Sequence, residues 1–232
     1  MRFVPLVHTR LDPGPWLPFK DVELLWAGQP DSAWTRAVRG GLAVHAVHLR
    51  SQDWGDGLIA EALDVLGAGL GLDFLVLHAK PPATRWGAAR FLGTLEALLE
   101  AATGRGAKVV LRPAEGATAR ILDLLRGVQG DAVGFCWDAG LGEDLEPLAG
   151  RLHCAVGERH SDPRPLQRWG YRWNLAIPAE DPAEIGPVLE RMRTQFPPVL
   201  FPAEMPRTAL GRPVVADPEV SLGRIWDRKE PQ

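Results

Sequence analysis

Cysteine is nearly absent from this 232-residue chain, which has only Cys136 and Cys154. Both lie in apolar, strand-like runs, so buried free thiols are expected rather than a disulfide, and no cysteine has metal-ligand spacing. Tyrosine occurs once, and arginine far outnumbers lysine. No apolar run approaches the roughly 18 residues of a membrane span, and the N-terminus lacks the apolar core of a secretory signal. An excess of one charge is missing too: the net charge is −3 and the pI is near 6.1. That leaves no electrostatic footprint for nucleic acid or an anionic membrane. No Gly-x-Gly-x-x-Gly follows a strand and no Walker-type loop occurs, so nucleotide binding lacks its signature. The expectation is a soluble, cytoplasmic protein with neither nucleic-acid nor membrane partners.

What is present is an ordinary globular composition, 46% hydrophobic and 24% charged, over a length that suits one domain (1–232). Strand-like and helix-like segments alternate along it. Strands are expected at Phe3–His8, Asp21–Trp26, Leu42–Leu49, Phe74–Leu77, Lys108–Leu111, Ala132–Trp137, Arg151–Val156 and, as the eighth, Val199–Phe201. A further extended piece is read at Tyr171–Ile177. Between them, Asp56–Gly67 repeats Leu58, Ile59, Ala62, Leu63 and Leu66 at helical spacing. Trp86–Ala102 forms a longer helix on Phe91, Leu92, Leu95, Leu98 and Leu99, and further helices fit Ser32–Arg39, Thr118–Val128 and Glu143–Leu148. Asp181-Pro182 caps a helix running to about Gln195. The tail, 205–232, holds one short helix near Pro218–Asp227. Repeated strand–helix units favour a parallel sheet wrapped by helices, and eight strands favour closure into a (β/α)8 TIM barrel. An open doubly wound sheet is the structural rival.

Three apolar runs end in charge: Val109-Val110-Leu111 in Arg112, Phe135-Cys136-Trp137 in Asp138, and Val199-Leu200-Phe201-Pro202-Ala203 in Glu204. Barrel strands deliver polar groups to the carboxyl end of the sheet in this way, and barrel enzymes keep their chemistry there. Arg112, Asp138 and Glu204 are therefore expected to meet around one hollow. His78, ending its strand, is a candidate for lining it. Lys80, just beyond, could serve carbonyl chemistry if desolvated, although a lysine beside Pro81-Pro82 is more often solvated. His45 and His48 fall on opposite faces of an ideal strand, so at most one points inward. His153 is read as a satisfied core histidine on the same face as Ala155. Glu158 and His160 alternate in a charged loop and form a weak candidate for a displaced metal site. Trp16, Trp26, Trp54 and Trp86 follow strands and Trp137 adjoins Asp138; aromatic faces at a polar pocket suit sugar rings, while packing explains most of them equally well.

The order of these motifs resembles the xylose isomerase-like barrels, the superfamily of sugar isomerases, epimerases and endonuclease IV-type repair enzymes. The likeness runs from about Asp21 to Glu204. The family's Val-Glu-Leu pattern is matched by Val22-Glu23-Leu24, its His-Ala by His45-Ala46 (less directly by His48), and its strand-ending His by His78. Its Asp-Thr-Gly-His falls on Asp138-Ala139-Gly140-Leu141, and its last Leu-Glu on Glu204. The resemblance implies divalent-ion ligands Glu, Asp, His and Glu on successive strand ends. By position these fall on Arg112, Asp138, Ala155 with Glu158, and Glu204, so only two survive and a guanidinium occupies one vacated place. The resemblance thus implies a small sugar or polyol ligand, touched by Glu23, His45, His78, Lys80, Trp137 and Glu158. Asp138, Glu204 and Arg112 would carry the acid/base and charge-stabilising work. No cofactor is expected, or at most Mn, Mg, Zn or Co on Asp138, Glu204, Glu158 or His160. The competing expectation is a non-catalytic binding or accessory protein that has lost the ion; a repair nuclease fits least, since that chemistry needs a metal cluster.

Overall fold

In the computed structural model, which describes residues 1–28, 32–51, 53–128, 132–141, 148, 150–168, 171 and 173–196, eight parallel strands close into a barrel in sequential order. They are β1 Arg2–His8, β2 Asp21–Leu25, β3 Ala43–Leu49, β4 Phe74–Ala79, β5 Lys108–Pro113, β6 Val133–Asp138, β7 Leu152–Val156 and β8 Asn174–Ala179. The helices around it are α1 Ser32–Arg39, α2 Asp56–Gly67, α3 Arg85–Thr103, α4 Thr118–Leu124, α5 Arg164–Arg168 and α6 Pro182–Gln195. The 1–232 domain assignment rests on sequence beyond residue 196.

The eighth strand corrects the sequence reading. β8, the piece read only as an extra extended segment, pairs with β1 from Arg2↔Asn174 to Val7↔Ala179 and closes the barrel. Val199–Phe201 lies outside the described residues together with Glu204 and the tail. Both segments are short and apolar, and a strand covered on both faces offers no alternation to tell them apart. The Glu143–Leu148 helix also falls mostly outside the described residues.

Helix ends follow local chemistry. Asp181 Oδ1 accepts from Ala183 N at 2.8 Å and Pro182 opens α6, as the cap pattern predicts. Thr84 Oγ1 accepts from Gly87 N to open α3. Apolar side chains divide between two layers. Val7, Leu24, Val47, Leu77, Leu111, Phe135, Ala155 and Ile177 face outward to the helices. Val4, Ala46, Val76, Val110, Cys136, Cys154 and Ala176 fill the barrel.

The register stacks the inward side chains in fours drawn from alternate strands, as this architecture requires. Val4, Ala46, Val110 and Cys154 form one layer, with Glu23, Val76, Cys136 and Ala176 above it. Next come Leu6, His48, Arg112 and Val156, then Leu25, His78, Asp138 and Pro178 at the carboxyl mouth. Both cysteines are free and buried inside the barrel, where desolvation raises their thiol pKa values and keeps them inert.

Candidate functional site at the carboxyl end of the barrel

Arg112 and Asp138 meet, as their strand-end positions predict. Arg112 Nε donates to Asp138 Oδ2 at 3.0 Å, and Nη2 donates to the same oxygen. Asp138 Oδ1 accepts from Gly140 N at 3.0 Å, so both carboxylate oxygens are engaged and the side chain is held against the turn after β6. Each side chain of the pair is 17% exposed. The guanidinium thus does the job of a cation between strands, in a fixed fork geometry. Glu158 joins the rim: a methyl placed on Gly140 would sit 3.3 Å from Asp138 Oδ1 and 3.5 Å from Glu158 Oε1.

His78 stands in the same layer as Asp138. Its pKa is pushed down to about 4 by desolvation first and then by the Arg112 guanidinium, with Asp138 opposing them. The imidazole is therefore neutral at physiological pH. Among the described residues neither ring nitrogen is hydrogen-bonded, while its backbone oxygen accepts from Trp54 Nε1 at 3.3 Å. A neutral imidazole with a free donor and a free acceptor, set at a polar mouth, is equipped to bind hydroxyls or a carbonyl.

Beneath lies the pair that sequence reasoning found only by half. Glu23 is 1% exposed and His48 is wholly buried, and His48 Nε2 lies 2.8 Å from Glu23 Oε2. An ionised Glu23 only accepts, so Nε2 is the donor in this contact. Among the described residues no group hydrogen-bonds Nδ1, although it is closed off from water.

His45, the residue preferred for the pocket from the His-Ala pattern, lies at the opposite end. There its Nε2 contacts Asp21 at 2.8 Å and its Nδ1 contacts Asp73 at 3.1 Å. The reason is a β-bulge: Val22 pairs with Val44 but Glu23 pairs with Ala46, so His45 is the extra residue of β3. A second bulge makes His153 the extra residue of β7. His153 is satisfied as expected, 2.7 Å from Arg151 O and 3.0 Å from Lys108 Nζ. It nonetheless does not share a face with Ala155. It plugs the amino end beside Phe74 and Trp173, over Gly134, where a methyl would lie 2.8 Å from its Nδ1. Trp137 is another correction: it packs in the outer layer against the helices, since Asp138 takes the inward position of the alternation. Trp16, Trp26 and Trp54 are buried in that layer as well, and Trp86 is exposed.

Lys80 and His160 are exposed. Among the described residues, no three His, Cys, Asp or Glu side chains converge as an ion would need. The glutamate that follows the true eighth strand is Glu180. It forms a second rim group with His8, Arg10 and Arg50: His8 is pulled down in pKa by desolvation and then by the two arginines, against the opposing charge of Glu180. Two of these rim groups, His8 after residues 3–7 and Glu180 after residues 175–179, also end apolar runs, so the signal that found Arg112 and Asp138 could have found them too. Among the described residues no helix is long and apolar enough to cross a membrane.

No protein-family pattern matches the chain, and no curated protein matches its sequence. The fold, by contrast, has many counterparts among solved structures. A xylose isomerase domain protein from Planctomyces limnophilus superposes with a TM-score of 0.63 at 13% identity, covering 83% of this chain and 94% of the other. The 3-keto-D-glucoside 4-epimerase of E. coli gives 0.63 at 14% identity, covering 84% and 100%. An AP endonuclease of family 2 from Brucella melitensis gives 0.61 at 14%, covering 79% and 95%. At such identities the likeness speaks for the fold alone. By strand order and closure the chain is a (β/α)8 barrel, and its fold is similar to that of the xylose isomerase-like barrels.

Proposed function

We propose that this barrel binds a small sugar or polyol at its carboxyl mouth and interconverts it as an isomerase or epimerase, moving a proton next to a carbonyl. The observation that carries the reading is the Arg112–Asp138 pair beside neutral His78, over an otherwise buried barrel. Arg112 supplies a fixed positive charge for an oxygen that turns negative as the proton leaves, and His78 supplies hydroxyl contacts. The apolar side of the mouth, Leu25 and Pro178, suits the C–H face of a sugar ring. Two structural counterparts named as a xylose isomerase domain protein and a keto-glucoside epimerase favour this substrate class over others.

A divalent ion does not fit this donor set. Hard ions want several oxygen or imidazole ligands converging at about 2.0–2.6 Å. Here a guanidinium fills one ligand place and Asp138 is engaged on both oxygens. The same engagement favours a second reading, a binding protein without turnover, because Asp138 has no idle oxygen for acid/base work. Glu204 and the cytoplasmic location stay proposals resting on the sequence.

The test is a thermal-shift panel of ketoses, aldoses and inositols on the wild type, Asp138→Asn and Arg112→Ala. A sugar-dependent rise in wild-type Tm that disappears in both variants is the expected result. An equal rise in all three proteins moves the binding site elsewhere. Mn, Mg, Zn and Co added to the same assay are expected to give no stabilisation; a rise abolished by Asp138→Asn would restore the metal.

A further inference from the structure

One buried polar atom has no role in the scheme above. Among the described residues nothing hydrogen-bonds His48 Nδ1, and it touches no water-accessible surface, which ordinarily destabilises a fold. Its ring is nonetheless held firmly, because Glu23, itself 1% exposed, binds Nε2 at 2.8 Å. A carboxylate–imidazole pair inside a barrel is expensive, and well-packed apolar side chains of similar volume often serve stability as well. The neighbours in their two layers are indeed apolar on every strand but one: Val76, Cys136 and Ala176 below, Leu6 and Val156 above. The exception is Arg112, which shares the layer of His48. The expensive pair and the guanidinium therefore face one interior space, under His78 and Asp138.

We propose that His48 is the proton-transferring base of the site and Glu23 its positioning residue; this rests on the isomerase or epimerase reading above. Fixing Nε2–H on Glu23 leaves Nδ1 with the lone pair, one protonation state ready for use. A ligand reaches Nδ1 by displacing His78 from the layer above, while the Arg112–Asp138 pair stays in place. Nδ1 then takes the proton from the carbon beside the ligand's carbonyl. The C–H electron pair becomes the carbon–carbon double bond, and the carbonyl oxygen takes up the negative charge facing Arg112. Glu23 stabilises the imidazolium that forms. Returning the proton to the adjacent carbon, while a hydroxyl proton crosses between the two oxygens, gives the isomer with no net gain or loss of electrons. Asp138, held by Arg112 and Gly140, has no proton to move in this scheme.

The test follows conversion, or deuterium uptake next to the carbonyl, by NMR in D2O for D-fructose, D-glucose and D-xylose. The informative variant is His48→Gln, whose amide reaches the Nε2 position and keeps a donor for Glu23 without offering a base at Nδ1. Binding is followed in parallel by thermal shift. The expected result is a folded His48→Gln protein that still binds the sugar but reacts at least 100-fold more slowly, with KM little moved. Glu23→Gln is expected to lower the rate less and to mix the His48 tautomers, read from its ring 15N shifts. Wild-type turnover that His48→Gln retains overturns the proposal and leaves the sugar reading intact. Absence of wild-type turnover on all three sugars overturns this proposal together with the isomerase reading. A His48 ring found with its proton on Nδ1 at neutral pH overturns it independently of any substrate.

Discussion

β3 carries two histidines three residues apart, and they meet opposite fates. His45, at the amino end, has a carboxylate on each nitrogen, Asp21 and Asp73. His48, toward the carboxyl end, has Glu23 on one nitrogen and, among the described residues, nothing on the other. The contrast extends to other groups at the two ends, although Arg112 and Asp138 are paired at the carboxyl end. Arg2 with Asp21 and Lys108 with His153 complete the pairing at the amino end. At the carboxyl end, His78 has both ring nitrogens open among the described residues. Polar groups whose partners are all present stabilise a fold; those held in place but left incomplete are prepared for a ligand.

The largest expected difference between the two ends is in stability. Glu23→Ala or His48→Ala leaves a buried group unpaired and should cost about 3–5 kcal/mol in urea unfolding. His45→Ala, whose aspartate partners are part-exposed, should cost about 1 kcal/mol or less. Equal losses at 45 and 48 would erase the distinction. Next in size is Arg112→Ala, expected to cost about 1.5–3 kcal/mol through lost charge-assisted hydrogen bonds to Asp138. A loss far below that would mean the pair is a solvated surface contact.

The two ends should also respond to pH with opposite signs. His78 is depressed to about 4 when folded, by desolvation first and then by the Arg112 guanidinium. Its contribution is complete above 6.5 and drains away as pH falls toward 4, because the unfolded chain takes up the proton first. For His45, desolvation lowers the pKa, but hydrogen bonds and charges from Asp21 and Asp73 outweigh it and the net shift is upward. Its stabilisation is complete below 6.5 and is lost as pH rises through the raised folded value. His78→Asn should therefore flatten the acid limb of Tm against pH, and His45→Asn the neutral limb. The smallest effect is a control outside the comparison: Asp181→Ala removes the α6 cap and should cost ~1 kcal/mol at every pH where Asp181 is ionised.

The fold was legible because its signals are local and repeated. α1, α2 and α6 lie where periodicity and caps put them, and the strands through β7 are offset by only a few residues. The Arg112–Asp138 contact was legible because a charge ending an apolar run has one sensible place in a barrel. What escaped was register. Bulges at His45 and His153 add one residue each to their strands, and alternation counted along the sequence cannot see an inserted residue. That single step exchanged His45 for His48 at the site. β8 was misassigned because two apolar pieces competed for one place and only pairing with β1 decides between them. Trp137 misled in a simpler way, as adjacency in sequence to Asp138 puts it on the other face of the strand.

The difference between the two ends is most directly measured by long-range 1H–15N spectra of the imidazoles in the 15N-labelled chain, recorded at pH 7 while D-fructose, D-glucose and D-xylose are added in turn. The expected result is a change confined to His48 and His78, with His45 and His153 unmoved. Changes at His45 or His153, or a carboxyl end that stays silent to all three sugars, would contradict the assignment of the site.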